Sequence, residues 1–260
     1  MALSAVLSKE MAVILGTEGA TLAPALTTGN WTLGTGWTYG TSPDRIEKLI
    51  DGTGTVTPTA ATNVVAGTTY RVEFNVASMS GSTATWTFGG VSGTAISAAG
   101  KYIQYITAST TGKLIITPVA TGLRAVIDFV SWKAITNETL AFATDFDFEV
   151  NKETIDITTL ASAGWKSFLV DLKEWKVSFS GLVTRGVPGA GEISYDELMT
   201  SLIGSDTDFT VIIKTTTTAD QYHIGQAKLM SMKASGSVGD KLTYSGEMQG
   251  TSVLNLLLVP

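Results

Sequence analysis

The feature that constrains this chain most is a two-residue alternation of apolar and polar side chains. Tyr70, Val72, Phe74 and Val76 alternate with Arg71, Glu73 and Asn75, which puts one set on each face of an extended strand. Trp86 and Phe88 repeat the pattern ahead of Gly89-Gly90, and Trp175, Val177, Phe179 and Phe209, Val211, Ile213 repeat it later. Further strands are expected at Tyr102 to Ile106, Leu114 to Thr117, Val126 to Trp132, around Tyr222 to Ala234 and at Lys241 to Gly250. The 27 glycines, with the Thr and Ser between these runs, supply the turns. One helix stands out. Ser194 and Glu197 form a capping-box pair, Leu198, Leu202 and Ile203 give an apolar stripe, and Gly204 ends it. Asp44 to Leu49 is expected to add one helical turn. The fold class is therefore mainly β: a barrel or sandwich with one flanking α-helix, plus a second β-sandwich.

With 260 residues there is room for two domains. Composition shifts near Leu26 and again around Ser131-Trp132-Lys133, so Thr27 to Lys133 is expected as an inserted domain. Residues 1–26 and 134–260 then form one discontinuous domain. The insert holds seven basic and five acidic residues, a net charge of about +2, which leaves ten basic and eighteen acidic residues, about −8, in the flanking segments. Phe142 to Thr159 reads as a long hairpin, with Phe146, Phe148 and Val150 on one face, a turn beginning at Asn151-Lys152, and Ile155 and Ile157 returning. Asp145, Asp147 and Glu149 share the opposite face. Taken by itself, such an acid stripe reads as an ordinary solvated strand face.

Composition narrows the chemistry. The chain has no cysteine and one histidine, His223. Disulfides, thiolate nucleophiles and Cys- or His-cluster metal sites are therefore excluded. No G-x-S-x-G accompanies His223, and no carboxylate pair stands out for glycoside hydrolysis. Gly186-Val-Pro-Gly-Ala-Gly191 lacks the Lys and Ser/Thr of a phosphate loop and reads as a connector. Asp128 with Asp51 or Asp44 offers oxygen ligands for calcium, without a loop signature. No enzyme, cofactor or metal is expected. No run reaches the roughly 18 apolar residues of a membrane span, and Glu10 interrupts the opening apolar stretch. Synthesis in the cytoplasm, without membrane insertion, is expected.

The stretch Phe148-Glu-Val-Asn-Lys-Glu-Thr-Ile-Asp-Ile-Thr158, then Ala163-Gly-Trp-Lys-Ser-Phe-Leu169, then Trp175-Lys-Val-Ser-Phe-Ser-Gly181 resembles the major tail tube proteins of siphophages. That resemblance covers Met1 to Ala25 and Ile135 to Leu258. It implies a β-barrel with a flanking helix that assembles into rings, usually hexameric, stacked into a tube through which genomic DNA passes without specific binding. It also implies a virion location and contacts with other tail proteins. Phe146, Phe148, Asn151 and Trp165 would then bridge subunits and rings, while Asp145, Asp147 and Glu149 are the candidates for the lumen. The middle of the chain, at Gly29-Asn-Trp-Thr-Leu33, Gly36-Trp-Thr38, Val65 to Val76 and Ile127-Asp-Phe-Val-Ser131, resembles jelly-roll carbohydrate-binding modules. This second resemblance implies an outward-projecting domain that contacts cell-surface glycans. Among Trp31, Trp37, Tyr39, Trp86, Tyr102 and Tyr105, mostly expected as core, Trp37 and Tyr39 are the candidates for such contacts. The rival readings are a carbohydrate-binding protein with an accessory β domain and a glycosidase fragment.

Overall fold

A computed structural model describes residues 11–41, 44–60, 64–140, 143–156, 166, 168–183, 192–204, 208–215, 222–236 and 241–257. It is mainly β with one helix. The chain forms two compact units: Met1–Gly16 with Asn137–Leu254, and Thr17–Thr136 with Asn255–Pro260. The boundaries fall inside two strands, β1 (Met11–Thr21) and β11 (Arg124–Leu140).

The second unit is built from β2 (Trp31–Leu33), β3 (Trp37–Thr41), β4 (Asp44–Lys48), β5 (Val56–Pro58) and β6 (Thr69–Ser80), then β7 (Ala84–Phe88), β8 (Val91–Ser92), β9 (Gly100–Thr107) and β10 (Ile115–Pro118). One antiparallel sheet runs β3-β4-β11-β6-β9 and the other runs β2-β5-β10-β7-β8. Apolar side chains from both sheets form one core, including Trp31, Val72, Phe74, Trp86, Phe88, Ile116 and Trp132. The rings meet edge to face, as their quadrupoles favour, with Phe74 and Trp86 centroids 5.1 Å apart at 87°. Gly89 and Gly90, at φ 53° and 81°, make the two-residue turn that joins β7 to β8, a conformation only glycine adopts at both positions without strain. The expected helical turn at Asp44 to Leu49 is instead β4. Ile46 and Lys48 point inward while Arg45 and Glu47 point outward, so period-two burial between β3 and β11 overrides the local helical preference.

In the first unit, β12 (Ala143–Asp156) pairs with β13 (Phe168–Leu182). After them come the short β14 (Glu192–Ile193), the helix α1 (Tyr195–Gly204), β15 (Asp208–Thr215), β16 (Tyr222–Ser235) and β17 (Thr243–Gly250). A last strand, β18 (Asn255–Leu257), is assigned to the second unit and lies against β9. The first unit's sheet runs β12-β13-β17-β16-β15-β1, and β14 pairs in parallel with the end of β11. Its core gathers Leu15, Trp175, Val177, Phe179, Leu198, Phe209, Val211, Tyr244 and Met248. The helix packs across β16 and is capped as its sequence predicts. The Ser194 N–H donates to Glu197 Oε2 at 2.7 Å and the Glu197 N–H donates to Ser194 Oγ at 3.2 Å. Leu198 is buried and Leu202 packs on the core, whereas Ile203 is exposed.

The hairpin expected to turn at Asn151-Lys152 does not turn there. β12 continues through both residues, with Asn151 opposite Glu174 and Lys152 opposite Lys173. A register shift between Lys152 and Thr154 follows. The extra residue lies in β13, where Lys173 to Val170 spans one residue more than Lys152 to Thr154, so the bulge bends the partner strand and β12 runs on through residues that the sequence marks as a turn.

Candidate functional site

The polar face of the first unit's sheet follows from its register. Phe148, Val177, Met248 and Leu229 lie in one row across β12, β13, β17 and β16, and Phe146, Phe179, Gly246 and Met232 lie in another. These rows point into the core. The rows between them belong to the other face: Asp145 with Ser180 and Ser245, Asp147 with Ser178 and Glu247, and Glu149 with Lys176 and Gln249. Alternation therefore brings the three acids predicted from sequence together with Glu247 on one surface. A depression of about 440 Å³ opens there, lined by Asp145, Asp147, Glu247, Lys233 and the serines Ser178, Ser180, Ser231 and Ser245, with Phe146, Phe179 and Gly246 also reaching it.

Charge on this surface is partly compensated. Lys176 Nζ lies 2.9 Å from Glu149 Oε2, and Asn151 Nδ2 donates to Glu149 Oε1 at 2.9 Å. The hydrogen bond from Asn151, followed by that from Lys176, holds the exposed Glu149 carboxyl below the usual carboxylate range, and Glu149 in turn raises Lys176. Asp145 accepts from the N–H of Phe146 at 3.0 Å, and Asp147 is exposed. Glu247, Lys233 and the serine rows were not singled out from the sequence. Their signal was the odd–even phase of β13 and β17, which becomes a shared surface only once the register is known.

Phe146 and Phe148 are half-buried and pack against the unit's own core, with the Phe148 ring 6.4 Å from that of Trp175. Asn151 is committed to Glu149, and Trp165 lies outside the described residues, as does the Gly186 to Gly191 connector. β12 has β13 on one side and is the outermost strand of the described sheet, leaving a row of backbone groups on its other side.

In the second unit, Trp37 is buried and its indole Nε1 donates to the Gly54 carbonyl at 2.7 Å. The Tyr39 hydroxyl donates to the Trp31 carbonyl at 2.7 Å and accepts from the Trp31 N–H at 3.1 Å. Both rings thus fasten the sandwich interior. Asp128 accepts from Asn75 at 2.7 Å, and Asp51 pairs with Arg124 at 2.7 Å. Among the described residues no group of three or more His, Cys, Asp or Glu side chains gathers as a metal site, and no helix is long and apolar enough to cross a membrane. His223 is exposed on β16, opposite Ile213.

No curated protein matches the chain. Among solved structures it is similar to a chain of the tail of an empty gene transfer agent particle, refined with helical and C6 symmetry, at 20% identity and a TM-score of 0.36, covering 46% of this chain and 85% of that one. It is also similar to a chain of the native gene transfer agent virion, at 22% identity and a TM-score of 0.36, covering 46% of this chain and 88% of that one. A family model described as phage tail tube protein matches residues 121–255. That span is more than half of the 260 residues, and the chain belongs to the phage tail tube protein family.

Proposed function

We propose that copies of the chain close into rings, hexameric by the family resemblance, which stack into the tail tube of a virion, with the serine-lined acidic face turned toward the channel. The observation that carries this reading is the pairing of that face with an open edge strand. β12 brings Asp145, Asp147 and Glu149 to the rim of the sheet, so strand addition by a neighbouring copy would continue the same surface around a ring. The first unit holds ten basic and seventeen acidic residues, a net charge of about −7. Repeated around a ring, such net charge repels phosphates, and on the face itself Lys176 and Lys233 are outnumbered by Asp145, Asp147, Glu149 and Glu247. The subunit's work is mechanical, and its partners are copies of itself and other tail proteins. In the second unit, the buried Trp37 and the engaged Tyr39 lend no support to glycan contact.

The chain has no cysteine, so one introduced thiol reports its own surroundings. Asp147→Cys is expected to react with both a small and a polymer-bearing maleimide in the free subunit. In assembled tubes it is expected to react only with the small one. Equal labelling of tubes by the bulky reagent would place this face outside the channel.

A further inference from the structure

The end of β4 inverts the usual polarity of a strand. Ile46 and Lys48 face the core, and alternation would carry Ile50 inward after them. Instead Lys48 is covered completely, while Leu49 and Ile50 are 52% and 69% exposed. The chain leaves the strand after Lys48, and the ammonium turns back to donate to the carbonyl of Ile50 at 2.5 Å.

We infer that the Lys48 ammonium is an internal tether: sealed beneath the Thr35-Gly36 turn and bonded to the Ile50 carbonyl, it sets the shape of the turn from Leu49 to Gly54 and holds Leu49 and Ile50 out in solvent. The space around it is fitted to a cation. A Cβ on Gly36 would lie 2.2 Å from Lys48 Nζ, 2.6 Å from the Ile50 carbonyl oxygen and 3.2 Å from that of Asp51, and Gly36 sits at φ +89°. Two carbonyl oxygens and the ammonium therefore converge on one glycine, where any side chain would collide. The two turns are joined elsewhere by the Gly34 N–H to the Thr55 carbonyl at 2.8 Å and by Trp37 Nε1 to the Gly54 carbonyl. Neither bond reaches Leu49 or Ile50. Burial, then the nearby Arg124, pushes the Lys48 pKa below its ordinary value, and Asp51 opposes them. Covering an ammonium is unfavourable unless hydrogen bonds replace its lost water, and the Ile50 carbonyl just beyond the end of β4 supplies one.

The test is hydrogen exchange on the full chain, comparing wild type with Lys48→Met, which keeps the length and removes the charge, and with Gly36→Ala, which intrudes on the ammonium without changing it. Peptides spanning residues 33–38 and 49–55 are expected to exchange at least about tenfold faster in both variants, with those of β6 and β9 unchanged. Wild-type protection of both turns in either folded variant overturns the proposal. If one variant loses protection in β6 and β9 as well, the other decides. Global loss in both also overturns it, because a tether confined to two turns does not hold β6 and β9 on the far side of the sheet.

Discussion

Single residues in both cores carry measurable consequences. Tyr105 is 1% exposed, and burial pushes its phenol up from 10.0 to about 12, with Glu18 and Glu73 adding to the rise and Arg71 opposing it. The folded state therefore favours the neutral phenol. The stability this contributes is present below pH 10 and lost as pH rises from about 10 to about 12. Tyr105→Phe should flatten that alkaline loss by on the order of 2–3 kcal/mol, read from urea midpoints measured across this window. A midpoint profile identical to wild type would show that the phenol does not titrate this way. In the first unit the Trp175 ring lies directly on backbone, since a Cβ on Gly250 would sit 2.2 Å from its Cε2 and one on Gly225 would sit 2.7 Å from its Cζ2. A glycine opposite an aromatic lets the ring cover the strand. Gly250→Ala is expected to cost about 1–3 kcal/mol through overpacking, and chemical denaturation monitored by tryptophan fluorescence measures it. An unchanged midpoint would contradict the packing described.

Among the elements, α1 was the most legible because its signals are local. Ser194 and Glu197 name the cap, and both hydrogen bonds form where the capping box predicts. Ser194→Ala should lower helix stability by about 1 kcal/mol, seen as faster exchange in the α1 amides; wild-type exchange there would argue that tertiary packing alone holds the first turn. The strands were legible wherever one face is buried, as in β6 and β13, since Phe74 or Val177 on the wrong face would expose the core. Two readings failed for identifiable reasons. Asp44 to Leu49 has charges at helical spacing, but Ile46 and Lys48 answer to strands far away in sequence. The turn placed at Asn151-Lys152 rested on turn-forming residue types, but both residues are paired, with Glu174 and Lys173, and the strand runs on. The acid stripe on β12 was visible in the sequence, whereas Glu247 and the serine rows beside it were not. Their neighbourhood is fixed by pairings between β13, β17 and β16 that alternation alone does not specify.

For the whole molecule, the central claim is that the segments flanking the Gly- and Thr-rich middle build one β unit whose outer strand is completed by further copies. The first unit gathers residues up to Gly16 with Asn137–Leu254, and β1 pairs with β15 from Met11 to Gly16. Met11 to Gly16 are thus part of the sheet that carries the acidic face. On the function proposed above, assembly follows concentration and edge pairing. Negative-stain electron microscopy of the purified protein across a concentration series tests this most directly. The account predicts closed rings or stacked tubes that accumulate as concentration rises, and a uniform population of single subunits at every concentration would contradict it.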